Sequence, residues 1–159
     1  MAARADAPCD APVTTLLVVR HADRAGQADS LSAAGVARAR DLVHVAQTAS
    51  VRAIYHSDTR RTRDTAAPLA ASLGLDLLEY PAKETAPLIE RVLEDHAGQT
   101  VLIVGHSNTV PTIIAAAGGP VIPDLDEKEF DGLFVVYVTC RDRPSLLLTL
   151  QYGAPSPAD

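Results

Sequence analysis

Apolar and polar positions along the chain alternate between two periods. The run TLLVVR over 15–20 is apolar without interruption, which predicts a strand buried on both faces, and it stops at the polar segment 21–30. Ser32 then offers an N-cap, and Val36, Ala39, Leu42, Val43 and Ala46 follow at helical spacing to about Ala49. The unit recurs as a short strand over 52–55, a polar turn over 56–59 and a helix ending at Leu73 before Gly74, with Pro68 expected to kink it or shift its start. A third strand is predicted over 76–80. A helix over 87–96 turns Leu88, Ile89, Val92 and Leu93 inward, and Gly98 stops it. The clearest strand is TVLIVG over 100–105, followed by a helix over 109–117 with Pro111 in its first turn and a break at Gly118, Gly119 and Pro120. After an acidic loop over 124–131, the strands 133–139 and 146–152 have only 140–145 between them and form a closing hairpin. Six strands interleaved with four helices predict an α/β fold, a three-layer sandwich about one sheet. One domain over 13–153 is expected, between a flexible leader, 1–12, and a flexible tail, 154–159.

Composition narrows the function classes. A chain of 159 residues holds one core and leaves no room for a separate cofactor domain. The net charge of −6 argues against a nucleic-acid coat or a polybasic membrane anchor, and no apolar run is long enough to span a bilayer. No signal-peptide pattern precedes the first strand, which leaves a cytoplasmic protein, or an exported one if Met1 replaces a cleaved signal. Of the 14 cations only Lys83 and Lys128 are lysines, and a bias to arginine suits planar recognition of phosphate or carboxylate.

In an open α/β sheet ligands bind beyond the carboxyl ends of the strands. Those ends carry Arg20, His21, Asp23 and Arg24 after the first strand; His56, Ser57, Asp58, Arg60, Arg61 and Arg63 after the second; and Gly105, His106, Ser107 and Asn108 after the fourth. Any single one of these is ordinary loop polarity, but three strand ends converging on His and Arg is not. A neutral imidazole whose Nδ1 is tied to a backbone acceptor presents Nε2 as a nucleophile, and guanidinium groups stabilise charge on a phosphoryl group. The helix starting near Ser107 would aim its amides at the same rim.

The motifs RHADR at 20–24, LSxxG at 31–35, SxxxRxxxTA at 57–66 and GHSN at 105–108 together resemble the histidine phosphatase superfamily, of phosphoglycerate-mutase-like fold, from about 15 to 152. The resemblance implies a mostly parallel six-stranded sheet with one antiparallel strand. It makes His21 the nucleophile that becomes phosphohistidine, with Arg20, Arg61 and His106, joined by Ser107 and Arg24, holding phosphate, and it requires no cofactor or metal. The expected substrate is a small phosphorylated molecule or a phosphohistidine protein. The chain departs from mutase-like members in having Ala22 where they carry Gly, and in lacking their long insertion with its glutamate after the third strand. The general acid then falls to Glu84, favoured over Asp23. With almost no insertions, the pocket is expected to be open and hydrolysis to be favoured over transfer.

Three competing readings are weaker. A zinc site of His21, His106 and Asp23 would face repulsion from Arg20 and Arg61. A serine esterase using Ser107 needs a downstream histidine, and none follows His106. A phosphate-binding protein with little turnover keeps the same residues. His44 and His96 read as surface or structural histidines and Arg38 and Arg40 as an exposed helix face, while His56 lies at the rim within reach of a substrate and the acidic loop reads as a solvated segment that repels polyanions. The family's sheet also puts Cys9 and Cys140 near one another, as a disulfide or as two independent thiols.

Overall fold

A computed structural model describes residues 10–157. Ten elements alternate along the chain: β1 Thr14–Arg20, α1 Ala33–Ala46, β2 Val51–Ser57, α2 Arg60–Leu73, β3 Leu77–Tyr80, α3 Thr85–Asp95, β4 Thr100–Gly105, α4 Thr109–Ala116, β5 Gly132–Val138 and β6 Leu146–Gln151. The sheet order is β3-β2-β4-β1-β5-β6. β1 pairs in parallel with β4, β4 with β2 and β2 with β3, while β5 runs antiparallel to both β1 and β6. β5 is thus the one strand of the sheet that runs against the rest, as expected.

The unbroken apolar strands are explained by two cores, one on each face. Leu16, Val18, Val101, Ile103, Phe134 and Val136 pack with Leu88, Ile89 and Val92 of α3 and Ile113 and Ile114 of α4. Leu17, Val19, Leu102, Val104 and Val135 pack on the other face with Leu42 and Ala46 of α1 and Ala66, Leu69 and Ala70 of α2. Alternate side chains of β1 and β4 therefore serve opposite cores, the reason Leu16–Val19 and Val101–Val104 are apolar without interruption. Burying this apolar area is the dominant favourable contribution to folding.

Several local expectations change. α1 ends at Ala46 with Gln47 as its C-cap, α3 starts two residues before Pro87, and α2 runs continuously through Pro68. β2 extends to Ser57, so His56 and Ser57 belong to the strand rather than to a turn. Arg38 is not on an exposed helix face; it is 3% exposed, and its guanidinium donates to Asp23 Oδ2 at 2.7 Å and to the carbonyls of Tyr152 and Ala154 at 3.0 and 2.8 Å. Arg38 thereby ties the loop after β1 to the chain after β6. Ser156 hydrogen-bonds Asp131 and the amide of Phe130, so ordered structure continues past residue 153 into the expected tail. Cys140 is disulfide-bonded, and Cys9, with most of the expected leader, lies outside the described residues.

Candidate active site

The carboxyl ends of β1, β2 and β4 deliver their side chains to one place. The His21 amide continues the sheet by donating to the Gly105 carbonyl at 2.9 Å, which sets the two strand ends level. Beyond it the His21 and His106 rings lie edge to face, 5.4 Å between centroids. His21 Nδ1 is 2.9 Å from the carbonyl oxygen of Ala22, an acceptor, so Nδ1 carries the hydrogen and the Nε2 lone pair is left for chemistry. The Ala22 amide is fixed in turn by Thr65 Oγ1 at 2.9 Å, and Ser32, at the N-terminus of α1, holds the Asp23 carbonyl.

Two glycines permit this approach. A Cβ on Gly35 would collide with the Asp23 carbonyl oxygen, so only glycine lets α1 abut the loop that follows His21. A Cβ on Gly105 would lie 2.8 Å from Thr109 Oγ1, the atom that accepts the His106 amide at 2.8 Å. The glycines of the LSxxG and GHSN motifs are thus both contact requirements.

Arg61, in the first turn of α2, is oriented by Asp29. Oδ1 of that carboxylate accepts from Arg61 Nη1 at 2.9 Å and from its amide at 3.1 Å, while Oδ2 accepts from the Arg60 amide at 3.0 Å. Burial works against the Asp29 charge, but these donors outweigh it and hold the carboxyl below its usual range. An acidic side chain here also complements the positive end of α2. The free edge of the Arg61 fork then reaches His106, Nη2 to Nδ1 at 3.3 Å.

Arg20 is 4% exposed and meets the acidic segment. Its Nη1 donates to the carbonyls of Asp126, Glu127 and Glu129 at 2.8, 3.1 and 2.9 Å, its Nη2 lies 3.9 Å from Glu127 Oε2, and Phe130 stacks 4.1 Å from the guanidinium carbon. Phe130 also lies 5.9 Å from the His21 ring, and the Leu125 amide donates to the Ser107 carbonyl. Residues 125–130 are therefore a collar on the site, not the free solvated loop that their charge suggested. Sequence pattern missed this because the collar docks through main-chain carbonyls, which carry no sequence signature.

Burial dominates the electrostatics. It pushes the His21 pKa down to about 3, aided by Arg20, His106 and Arg61 and opposed by the Ala22 carbonyl. Burial likewise brings His106 down to about 4, with Arg61 and Arg20 lowering it and Asp58 and Asp29 raising it. Both rings are neutral near pH 7. Nε of Arg20 and Nε of Arg61 are buried without a hydrogen-bond acceptor.

The remaining expected residues separate. Arg24 turns back on its own loop, donating to the Gln27 and Ala28 carbonyls. His56 is 3% exposed, with Nδ1 on the Ser57 carbonyl. Asp23 faces Arg38, Glu84 is exposed at the start of α3, and Ser107 is half-buried beside His106. Among the described residues no group of three or more His, Cys, Asp or Glu is placed to hold a metal ion, and no helix is long and apolar enough to cross a membrane.

Residues 16–84, which include His21, Arg20 and Arg61, match the family model of the histidine phosphatase superfamily, branch 1. That segment, under half of the chain, is similar to the histidine phosphatase superfamily. Solved structures extend the likeness past His106. The protein histidine phosphatase SixA, in complex with tungstate, is 13% identical with a TM-score of 0.67, covering 86% of this chain and 96% of its own. A mycobacterial glucosyl-3-phosphoglycerate phosphatase is 16% identical with a TM-score of 0.67, covering 91% and 100%. Phosphoserine phosphatase from Entamoeba histolytica, with 3-phosphoglyceric acid, is 13% identical with a TM-score of 0.63, covering 89% and 97%. At these identities the likeness is one of fold. No curated protein sequence matches the chain. The matched segment supports phosphatase activity in general.

Proposed function

We propose that this chain belongs to the histidine phosphatase superfamily and hydrolyses phosphomonoesters, or phosphohistidine in a protein, through a phosphohistidine formed on His21. The reading rests on one observation above all: the His21 Nδ1–H is committed to the Ala22 carbonyl, leaving Nε2 as a nucleophile among Arg20, Arg61 and His106. In the first step Nε2 attacks phosphorus and the bond to the leaving oxygen breaks, that oxygen taking a proton from a carboxylic acid. In the second, water attacks phosphorus, the N–P bond breaks, inorganic phosphate leaves, and the carboxylate recovers a proton from the water.

Arg20, Arg61 and His106 stabilise the phosphoryl oxygens, with Ser107 beside them. Arg24, whose donors are taken by its own loop, serves that loop instead. Glu84 is the better acid, because the Asp23 carboxyl is already engaged by Arg38 at 2.7 Å. No step needs a metal, as two arginines already supply the positive charge. The test is hydrolysis of an aryl phosphate with and without chelator. Turnover should survive chelation and fall by about 10³-fold or more in His21→Ala; loss on chelation, or a His21→Ala variant with full activity, would refute the reading.

A further inference from the structure

His106 lies in a line of hydrogen bonds whose direction is fixed at both ends. Its Nε2 is 2.7 Å from Ser57 Oγ, which is 3.1 Å from Thr62 Oγ1, and Thr62 Oγ1 reaches the carbonyls of Ser57 and Thr59 at 2.8 and 2.9 Å. A carbonyl only accepts, so the one Thr62 hydroxyl hydrogen goes to it, and Thr62 accepts from Ser57. Thr59 Oγ1, 3.0 Å from Thr62 Oγ1, has its own hydrogen to donate and does not change this order. With its hydrogen on Thr62, Ser57 Oγ must accept from His106 Nε2–H. At the other end Arg61 Nη2 faces Nδ1 at 3.3 Å, and a guanidinium only donates, so Nδ1 bears the lone pair. Ser57 and Thr62 are both 0% exposed, which leaves water no part in the line.

We propose that Ser57 is a positioning residue that holds His106 as its Nε2–H tautomer, so that the phosphoryl site takes up its anion and a proton together, the proton on His106 Nδ1. The proposal rests on the phosphatase reading of the same site. A lone pair on Nδ1 repels an oxyanion; once protonated, Nδ1–H donates to it while Nε2–H stays on Ser57. The groups facing His106 are Arg61 from α2, Arg20 and His21 from the end of β1, Asp58 from the end of β2 and Asp29 from the loop before α1. The burial and arginine charge that keep the ring neutral in the free protein are opposed by a bound dianion, which draws the proton in. Without the Ser57 hydroxyl, Nε2–H has no acceptor, and the neutral ring would instead place its hydrogen on Nδ1 and meet the anion with no proton taken up.

Two measurements test this, using tungstate as probe because it is a dianion throughout the neutral range. Imidazole ¹⁵N spectra of the free protein should identify His106 as the Nε2–H tautomer. Calorimetric titration with tungstate, in buffers of different protonation enthalpy, should show Ser57→Ala taking up about one proton fewer per anion than the wild type, with Ser57→Thr restoring the wild-type value. An Nδ1–H tautomer in the free protein, or equal proton uptake in wild type and Ser57→Ala, overturns the proposal. Should Ser57→Ala fail to fold, the wild-type spectra decide alone. A folded wild type that binds no tungstate would refute the phosphate site itself, a separate outcome.

Discussion

Two carboxylates near the proposed nucleophile or the rim have different surroundings because of one arginine. Asp23 is two positions from His21, yet Arg38 engages it at 2.7 Å with both groups largely out of water. Glu84 has no such partner and is free to deliver a proton. Glu84→Gln should therefore lower kcat on an alkyl phosphate by about 10²-fold and leave an aryl phosphate, whose leaving group needs no proton, nearly unaffected. Asp23→Asn should act on both substrates alike and lower stability by about 3 kcal/mol in denaturant titration, because it strands the Arg38 charge. Leaving-group-dependent loss in Asp23→Asn instead would reverse the assignment. His21, Arg20, Arg61 and His106 were legible in the sequence because each follows a recognisable strand or opens a recognisable helix. Arg38 was not, since its partners are 15, 114 and 116 positions away and helical spacing alone placed it outward. The roles of Asp29 and Ser57 escaped for the same reason: they are contacts across the fold, Asp29 with Arg61 32 positions away and Ser57 with His106 49 positions away.

At the level of elements, the strands and helices followed from apolar period, and their ends did not. β2 runs on to Ser57 because His56 and Ser57 find buried partners there, which a polar reading of 56–59 could not reveal. The LSxxG motif was legible as a pattern, and the structure supplies its cause in the contact between α1 and the Asp23 backbone. Gly35→Ala should displace either α1 or the loop after His21, lowering stability by about 1–3 kcal/mol by thermal or chemical unfolding. It should also reduce kcat/KM, because the Ala22 carbonyl that orients His21 moves with the loop. Unchanged stability and activity would mean that this close packing sets nothing at the site. The segment 125–130 teaches the converse lesson: a run of acidic side chains reads as solvated surface, whereas its backbone oxygens are what Arg20 uses.

For the whole molecule, a net charge of −6 coexists with a cationic pocket, and the collar of acidic residues borders that pocket rather than lying apart from it. Two buried neutral histidines also set the acid limit of the fold. Their folded pKa values, about 3 for His21 and about 4 for His106, lie below the unfolded value of 6.5, so the unfolded chain binds more protons in between. Stability is thus fully present above about pH 6.5 and is lost as the pH falls toward 3 to 4, at about 1.4 kcal/mol per pH unit for each histidine. Denaturant titrations in buffers free of phosphate should show this decline, and His21→Asn should make it shallower; an identical slope in the variant would show that His21 does not stay neutral on folding.

The central claim, a covalent phosphoryl group on His21, is tested most directly by quenching the enzyme within one turnover of a phosphomonoester and mapping the label by ³¹P spectroscopy and peptide mass. An acid-labile, base-stable phosphoryl group on the peptide bearing His21, absent in His21→Ala, is the expected result. Turnover by the wild type with no label on that peptide, or with a stable label on Ser107, would contradict it.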